Sequence, residues 1–121
     1  LLAGLVVLSH WSLDLLVHRP DLTIAGDPPK YGVGLWNYPA IEMPLELLLT
    51  FGALAVFLAR TRGPALPAIV LGAVLLLVQA INWFGPEPEA VTPALSYTAF
   101  FAYGLTTLAA CWLGRTRRAK P

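Results

Sequence analysis

The sequence predicts an all-α protein, an integral membrane four-helix bundle. Only 12% of its 121 residues are charged, whereas a soluble domain carries about 25% charged residues. Four apolar segments also approach or reach the roughly 20 residues that a helix needs to cross the hydrocarbon core of a bilayer. No internal repeat divides the chain. Residues 1–121 are therefore predicted to form one transmembrane domain.

The four helices are predicted to cover residues 1–18, 39–59, 64–84 and 93–113. Proline stands at the predicted start of the last three helices, where its missing N–H costs little. The first two helices are separated by about 20 residues whose prolines and glycines exclude a regular helix. Loops of that length are usually functional or disordered. The aromatic residues of this one indicate a loop that packs at the membrane interface: Tyr31, Trp36 and Tyr38.

The distribution of charge predicts the orientation of the bundle. Arg60 and Arg62 lie in the turn between helices 2 and 3. The C-terminal segment adds Arg115, Arg117, Arg118 and Lys120. The loop between helices 3 and 4 contains Glu87 and Glu89 but no cation. The positive-inside rule then predicts a cytoplasmic Arg60–Arg62 turn and both termini in the cytoplasm, with the long first loop facing outward. The expected location is the bacterial inner membrane.

His10, Asp14 and His18 are spaced four residues apart, so a helix presents them on one face. Ionisable groups in a membrane segment are costly and usually functional. His10 and His18 lie about 12 Å apart along the helix, whereas ligands of one metal ion lie some 3–4 Å apart. One ion can therefore bind an adjacent pair, either His10 with Asp14 or Asp14 with His18. We expect His10 and Asp14 to be the metal ligands, with Glu46 as the third ligand or the general base.

The predicted topology brings polar side chains from all four helices to the outward side, which predicts a polar pocket open to that side. Imidazole and carboxylate ligands suit zinc, manganese or iron, so the expected cofactor is a divalent metal. Tyr97 is a candidate catalytic residue that donates to a developing oxyanion. The candidate substrate-binding residues are His18, Arg19, Asn37, Glu42 and Asn82.

The same residues also have structural explanations. His18 and Arg19 suit the membrane interface, where Arg19 meets lipid headgroups. Glu42 is close enough to a helix start to act as a dipole-stabilising acid. Asn82 and Trp83 suit an interfacial belt. The three expected metal ligands lie a turn or more inside apolar segments, where the alternative is a buried polar cluster with a structural role.

One part of the chain resembles a known family. Ser9, His10 and Asp14 form a Ser-His-x-x-x-Asp pattern, and residues 32–39 read Gly-Val-Gly-Leu-Trp-x-x-Pro. Over residues 9–39 the chain resembles the bacterial membrane-bound metal-dependent hydrolases. That resemblance implies a small multi-helix membrane bundle in which His10 and Asp14 are the metal-binding or catalytic pair. The family's upstream His-Arg-x-x-Thr-His-Ser motif has no counterpart in this chain.

The leading hypothesis is a metal-dependent hydrolase acting on a lipid-linked phosphate or ester, because a metal with an open coordination position activates water. The alternative is a non-enzymatic accessory or structural subunit of a larger membrane complex. A tetrapyrrole site with His10 as its one ligand, and a transporter formed by oligomerisation, are further alternatives. The expected partners are the lipid bilayer and either a lipid substrate or partner membrane subunits. No nucleic-acid-binding motif is visible.

Overall fold

A computed structural model describes residues 2–24, 26, 28–86 and 93–121 of the chain. The described part is all-α, with four α-helices and two short strands. The helices are α1 (Leu2–Val17), α2 (Pro39–Arg60), α3 (Leu66–Phe84) and α4 (Pro93–Thr116), and a single 3-10 turn covers Leu35–Asn37. The four predicted helices are confirmed, and each boundary lies within three residues of its prediction. Helix α3 begins two residues later than predicted, with Pro67 rather than Pro64 in its first turn.

Within the described residues, α2, α3 and α4 are long and apolar enough to cross a membrane. Between 6% and 17% of the residues in their most apolar windows are buried inside the protein. The remaining apolar surface therefore needs lipid or other apolar groups around it. Helix α1 has 16 residues, about 24 Å at 1.5 Å per residue, against a hydrocarbon core of about 30 Å. The four-span bundle with both termini in the cytoplasm stays a prediction.

The chain divides into two compact units, Leu1–Thr50 and Phe51–Pro121. The second unit, which begins within α2, contains a small apolar core formed by α3 and α4. Its buried residues are Ala68, Leu71, Ala109 and Leu113. Two of the four are alanines, and small residues at a helix contact allow the helix backbones to approach closely.

A two-stranded antiparallel sheet joins the turn after α2 to the C-terminal segment. Strand β1 (Thr61–Arg62) pairs with β2 (Arg118–Ala119), so that Arg62 lies opposite Arg118 in the register. Next to the sheet, the Lys120 amide donates to the Arg60 carbonyl over 2.9 Å. The sequence did not predict this pairing, because two-residue strands carry no detectable alternation of apolar and polar residues.

Candidate functional site

His10 and Asp14 form a close pair on α1. The His10 Nε2 lies 3.5 Å from the Asp14 Oδ2, one helical turn away. The His10 side chain is 79% exposed and that of Asp14 is 30% exposed. The four-residue spacing therefore brings these two groups together, as expected for side chains on one face of a helix. The pair lies on an open face of α1 and not in an enclosed cavity.

The expected three-ligand metal site is not assembled within the described residues. Among them, no three His, Cys, Asp or Glu side chains lie close enough together to hold a metal ion. Glu46, the expected third ligand, is half-buried in α2. Catalytic zinc sites use three protein ligands. The His10–Asp14 pair fits such a site in donor chemistry and spacing, but it supplies only two of the three ligands. The metal site stays a prediction.

The long loop after α1 folds back onto the C-terminal end of that helix. The Val33 amide donates to the Leu15 carbonyl over 2.9 Å, and the Gly34 amide donates to the His18 carbonyl over 2.8 Å. Carbonyl groups in the last turn of a helix have no partner within the helix. The loop supplies those partners, and it is folded where the structure describes it, as its aromatic content suggested.

Three features of the loop allow this close approach. Leu22 and Tyr31 exchange a pair of backbone hydrogen bonds of 3.1 and 2.8 Å, which draws the two sides of the loop together. A Cβ atom added at Gly32 would overlap the Arg19 carbonyl, so a residue without a side chain is required there. Gly34 has a φ of 79°, a left-handed conformation that glycine adopts without steric cost.

The folded loop gathers a set of side chains that we call the polar cap: His18, Arg19, Asp21, Trp36 and Asn37. The His18 Nδ1 lies 3.3 Å from the Asp21 Oδ1, and the His18 ring meets the Trp36 ring edge-on, with centroids 5.1 Å apart. The Arg19 Nε donates to the Asn37 Oδ1 over 3.0 Å. Three of the expected substrate-binding residues, His18, Arg19 and Asn37, therefore lie in one cluster.

Asp21 and Trp36 were absent from the predicted site residues. A signal for Asp21 was present, because it follows His18 by three residues and is the nearest acid to that imidazole in the sequence. Trp36 has no signal in the sequence beyond the aromatic content of the loop. Its contact with His18 depends on the fold of the loop, which residue spacing does not reveal.

Glu42 is the most deeply buried acid among the described residues. It lies in the first turn of α2, its exposed fraction is 1%, and its Oε2 has no hydrogen-bond partner. The first-turn position fits the dipole-stabilising explanation. Complete burial was not predicted, because a carboxylate at a helix start is normally solvated. A buried polar atom without a partner indicates strain, a functional role or an unseen water or ion.

The last two expected site residues lie in the second unit. Asn82 is exposed near the end of α3, and the Tyr97 side chain in α4 is 73% exposed. Their convergence with the groups on α1 stays a prediction, as does the outward polar pocket formed by all four helices.

Comparisons with protein-family models, with curated proteins and with solved structures find no match to this chain.

Proposed function

We propose that the chain is an integral membrane protein of the inner membrane with an outward-facing polar pocket that binds a metal and is used for hydrolysis of a lipid-linked phosphate or ester. The observation that carries this proposal is the 3.5 Å separation of the His10 Nε2 and the Asp14 Oδ2. An imidazole and a carboxylate at that separation suit zinc, manganese or iron. A metal ion bound there would supply an activated water for hydrolysis.

The other residues have distinct roles in this proposal. Glu46 is the third ligand or the general base, and Tyr97 donates to the oxyanion. The polar cap recognises an anionic headgroup through Arg19, whose Nε donates to the neutral amide oxygen of Asn37 and leaves the guanidinium charge available. The excess of Arg and Lys in the Arg60–Arg62 turn and the C-terminal segment supports an orientation with both in the cytoplasm.

The test is the metal content of the purified chain in detergent. After metal removal and reloading with zinc, manganese or iron, we expect about one ion per chain, as one four-ligand site requires. His10→Ala and Asp14→Ala should each abolish that stoichiometric binding. His18→Ala is the matched control and should keep the ion, because His18 lies about 12 Å along the helix from His10. Absence of stoichiometric metal from the wild-type chain would contradict the proposal.

A second candidate function, an accessory subunit of a larger membrane complex, is favoured by the exposure of the same pair. The His10 side chain is 79% exposed on an apolar helix whose neighbouring Val6, Val7 and Leu8 are also exposed. Hydrocarbon covers valine and leucine but offers imidazole no hydrogen bond, so membrane histidines face protein or water. A polar group of a partner helix would satisfy His10.

Site-specific photocrosslinking in intact membranes tests this second function. A crosslinker in place of Ser9 or Leu13, which flank the His10–Asp14 face, should give one defined adduct to another membrane protein. A crosslinker in place of Val56 on α2, which is also exposed, is the control. Adducts confined to lipid at the α1 positions would contradict the subunit function and leave the metal proposal standing.

A further inference from the structure

Six of the eight Lys and Arg residues of the chain lie at the end of α2 and in the turn after it, or at the end of α4 and in the segment that follows. We call this set the basic end: Arg60, Arg62, Arg115, Arg117, Arg118 and Lys120. The acids of residues 51–121 are Glu87 and Glu89, which belong to the connection between α3 and α4. The sequence of the second unit thus supplies no acid next to these six cations along the chain.

The sheet places two of these cations opposite each other. Arg62 and Arg118 are register partners in the antiparallel β1–β2 pair, and both residues are exposed. Side chains that lie directly opposite each other in such a pair are close neighbours, and like charges there are destabilising. An anion bound between the two guanidinium groups would remove this repulsion.

Arg117 holds the basic end together through neutral oxygens. Its Nε donates to the Thr61 Oγ1 over 2.8 Å, and its two terminal nitrogens donate to the carbonyls of Leu58, Thr61, Gly63 and Pro64 over 3.0–3.4 Å. These bonds fix the guanidinium group without neutralising its charge, since each acceptor is uncharged. The positive potential at this end is therefore available to an external anion.

An apolar groove of about 480 Å³ begins at the basic end. Phe51, Leu54 and Ile69 are among the residues that line it, and Gly63 and Arg117 line the same groove. Gly63 and Arg117 are the chain neighbours of Arg62 and Arg118. The groove and the opposed arginines therefore lie at the same end of α2, although Arg62 and Arg118 are not among the residues that line the groove.

We propose that the basic end and the groove bind an anionic phospholipid, with its phosphodiester between Arg62 and Arg118 and an acyl chain in the groove. Free phosphate matches the charge but leaves the groove empty, and a zwitterionic lipid fits the groove but compensates the charge less well. Basic pockets between membrane helices bind anionic headgroups in this way. The inference requires a bilayer around the chain and does not require the metal chemistry proposed for His10 and Asp14.

The test is lipid binding by the full chain in detergent micelles, measured by native mass spectrometry. Dioleoyl phosphatidylglycerol and dioleoyl phosphatidylcholine share their acyl chains and differ in charge. We expect the anionic lipid to bind in preference. Arg62→Gln combined with Arg118→Gln should weaken its binding about 30-fold, since each basic residue near a membrane surface contributes about five- to sixfold. Arg62→Lys with Arg118→Lys should keep the preference.

Two further variants separate the parts of the site. Ile69→Trp fills the groove at a residue that is 64% exposed, and it should weaken binding of the long-chain lipid without lowering thermal stability. Lys30→Gln removes a cation of the first unit, and it should leave binding unchanged. Equal binding of the two lipids, or an equal loss in Lys30→Gln and the double glutamine variant, would overturn the proposal.

Thermal unfolding checks the repulsion on which the proposal depends. In lipid-free detergent, the double glutamine variant should unfold at the wild-type temperature or above it. Added phosphatidylglycerol should raise the unfolding temperature of the wild type and not that of the variant, because a ligand stabilises the state that binds it. A less stable variant in lipid-free detergent would overturn the proposal. His10→Ala should retain lipid binding. A failure of the metal proposal can therefore be distinguished from a failure of the lipid proposal.

Discussion

The Arg117 Nε donates a hydrogen bond of 2.8 Å to the Thr61 hydroxyl, and that hydroxyl donates in turn to the Phe57 carbonyl over 2.7 Å. The C-terminal segment is thereby tied to the last turn of α2. The terminal carbonyls of a helix need such partners. The Thr61 hydroxyl therefore links a side chain of the C-terminal segment to a backbone carbonyl of α2.

Replacing Arg117 should therefore destabilise the second unit more than replacing another cation of the basic end. Arg117→Ala removes five donated hydrogen bonds, and we expect a loss of about 2–4 kcal/mol in the free energy of unfolding, given the modest net value of each bond. Arg115→Ala, at an exposed residue of α4, is the matched control and should change it by less than about 0.5 kcal/mol. Circular dichroism during thermal unfolding in detergent measures both, and equal effects would contradict the structural role of Arg117.

The core of the second unit gives a prediction that compares neighbouring residues. Ala109 is 7% exposed, whereas Ala110 is exposed. Ala109→Leu forces extra volume between α3 and α4 and should cost about 1–3 kcal/mol. Ala110→Leu should be nearly neutral. Thermal unfolding of the two variants under identical conditions tests the packing, and a greater loss in Ala110→Leu would show that α4 is turned differently.

Two substitutions of the buried Glu42 separate the effect of its carboxyl group on stability from the effect of its side-chain volume. Glu42→Gln keeps the volume and exchanges one carboxyl oxygen for an NH2 group, and because Oε2 has no partner we expect stability close to that of the wild type. Glu42→Ala leaves a cavity and should lower the unfolding temperature. If the glutamine variant loses as much stability as the alanine variant, the carboxyl group itself is held by a partner or a ligand.

Substitution of Gly32 should release the loop from α1. An alanine Cβ at this position would overlap the Arg19 carbonyl, so the loop must move away from the helix. Hydrogen exchange should then speed up at the Val33 and Gly34 amides, which donate to the end of α1. Gly4→Ala is the control, because a Cβ at Gly4 has open space. Unchanged protection of both amides in Gly32→Ala would contradict the folded loop.

The helices were predictable because their signals are local. Long apolar runs indicated all four, and prolines indicated where three of them begin. The start of α3 differs from its prediction because the chain offers two prolines there, and the helix takes Pro67 rather than Pro64 into its first turn. The His10–Asp14 contact was predictable for the same reason, since both side chains belong to one helix and their spacing determines their separation.

The remaining features depend on residues distant in the sequence. The complete burial of Glu42 is not a consequence of its first-turn position, and the opposition of Arg62 and Arg118 follows from the return of the C-terminal segment to the turn after α2. In the sequence, membrane orientation alone is enough to explain the basic residues. That explanation does not require them to lie close together in space. Hydropathy patterns indicate which helices contact lipid. They do not indicate that a turn contacts a distant segment of the chain.

The return of the C-terminal segment also has a mechanical consequence. The Lys120 ammonium donates to the Ala59 carbonyl over 2.7 Å, and the β1–β2 pair lies beside that contact. A pulling force applied at residue 121 would load these bonds before it reached α4. Extraction of the helix from a bilayer by force spectroscopy should therefore begin with a short release of residues 117–121, each adding roughly 3.5 Å.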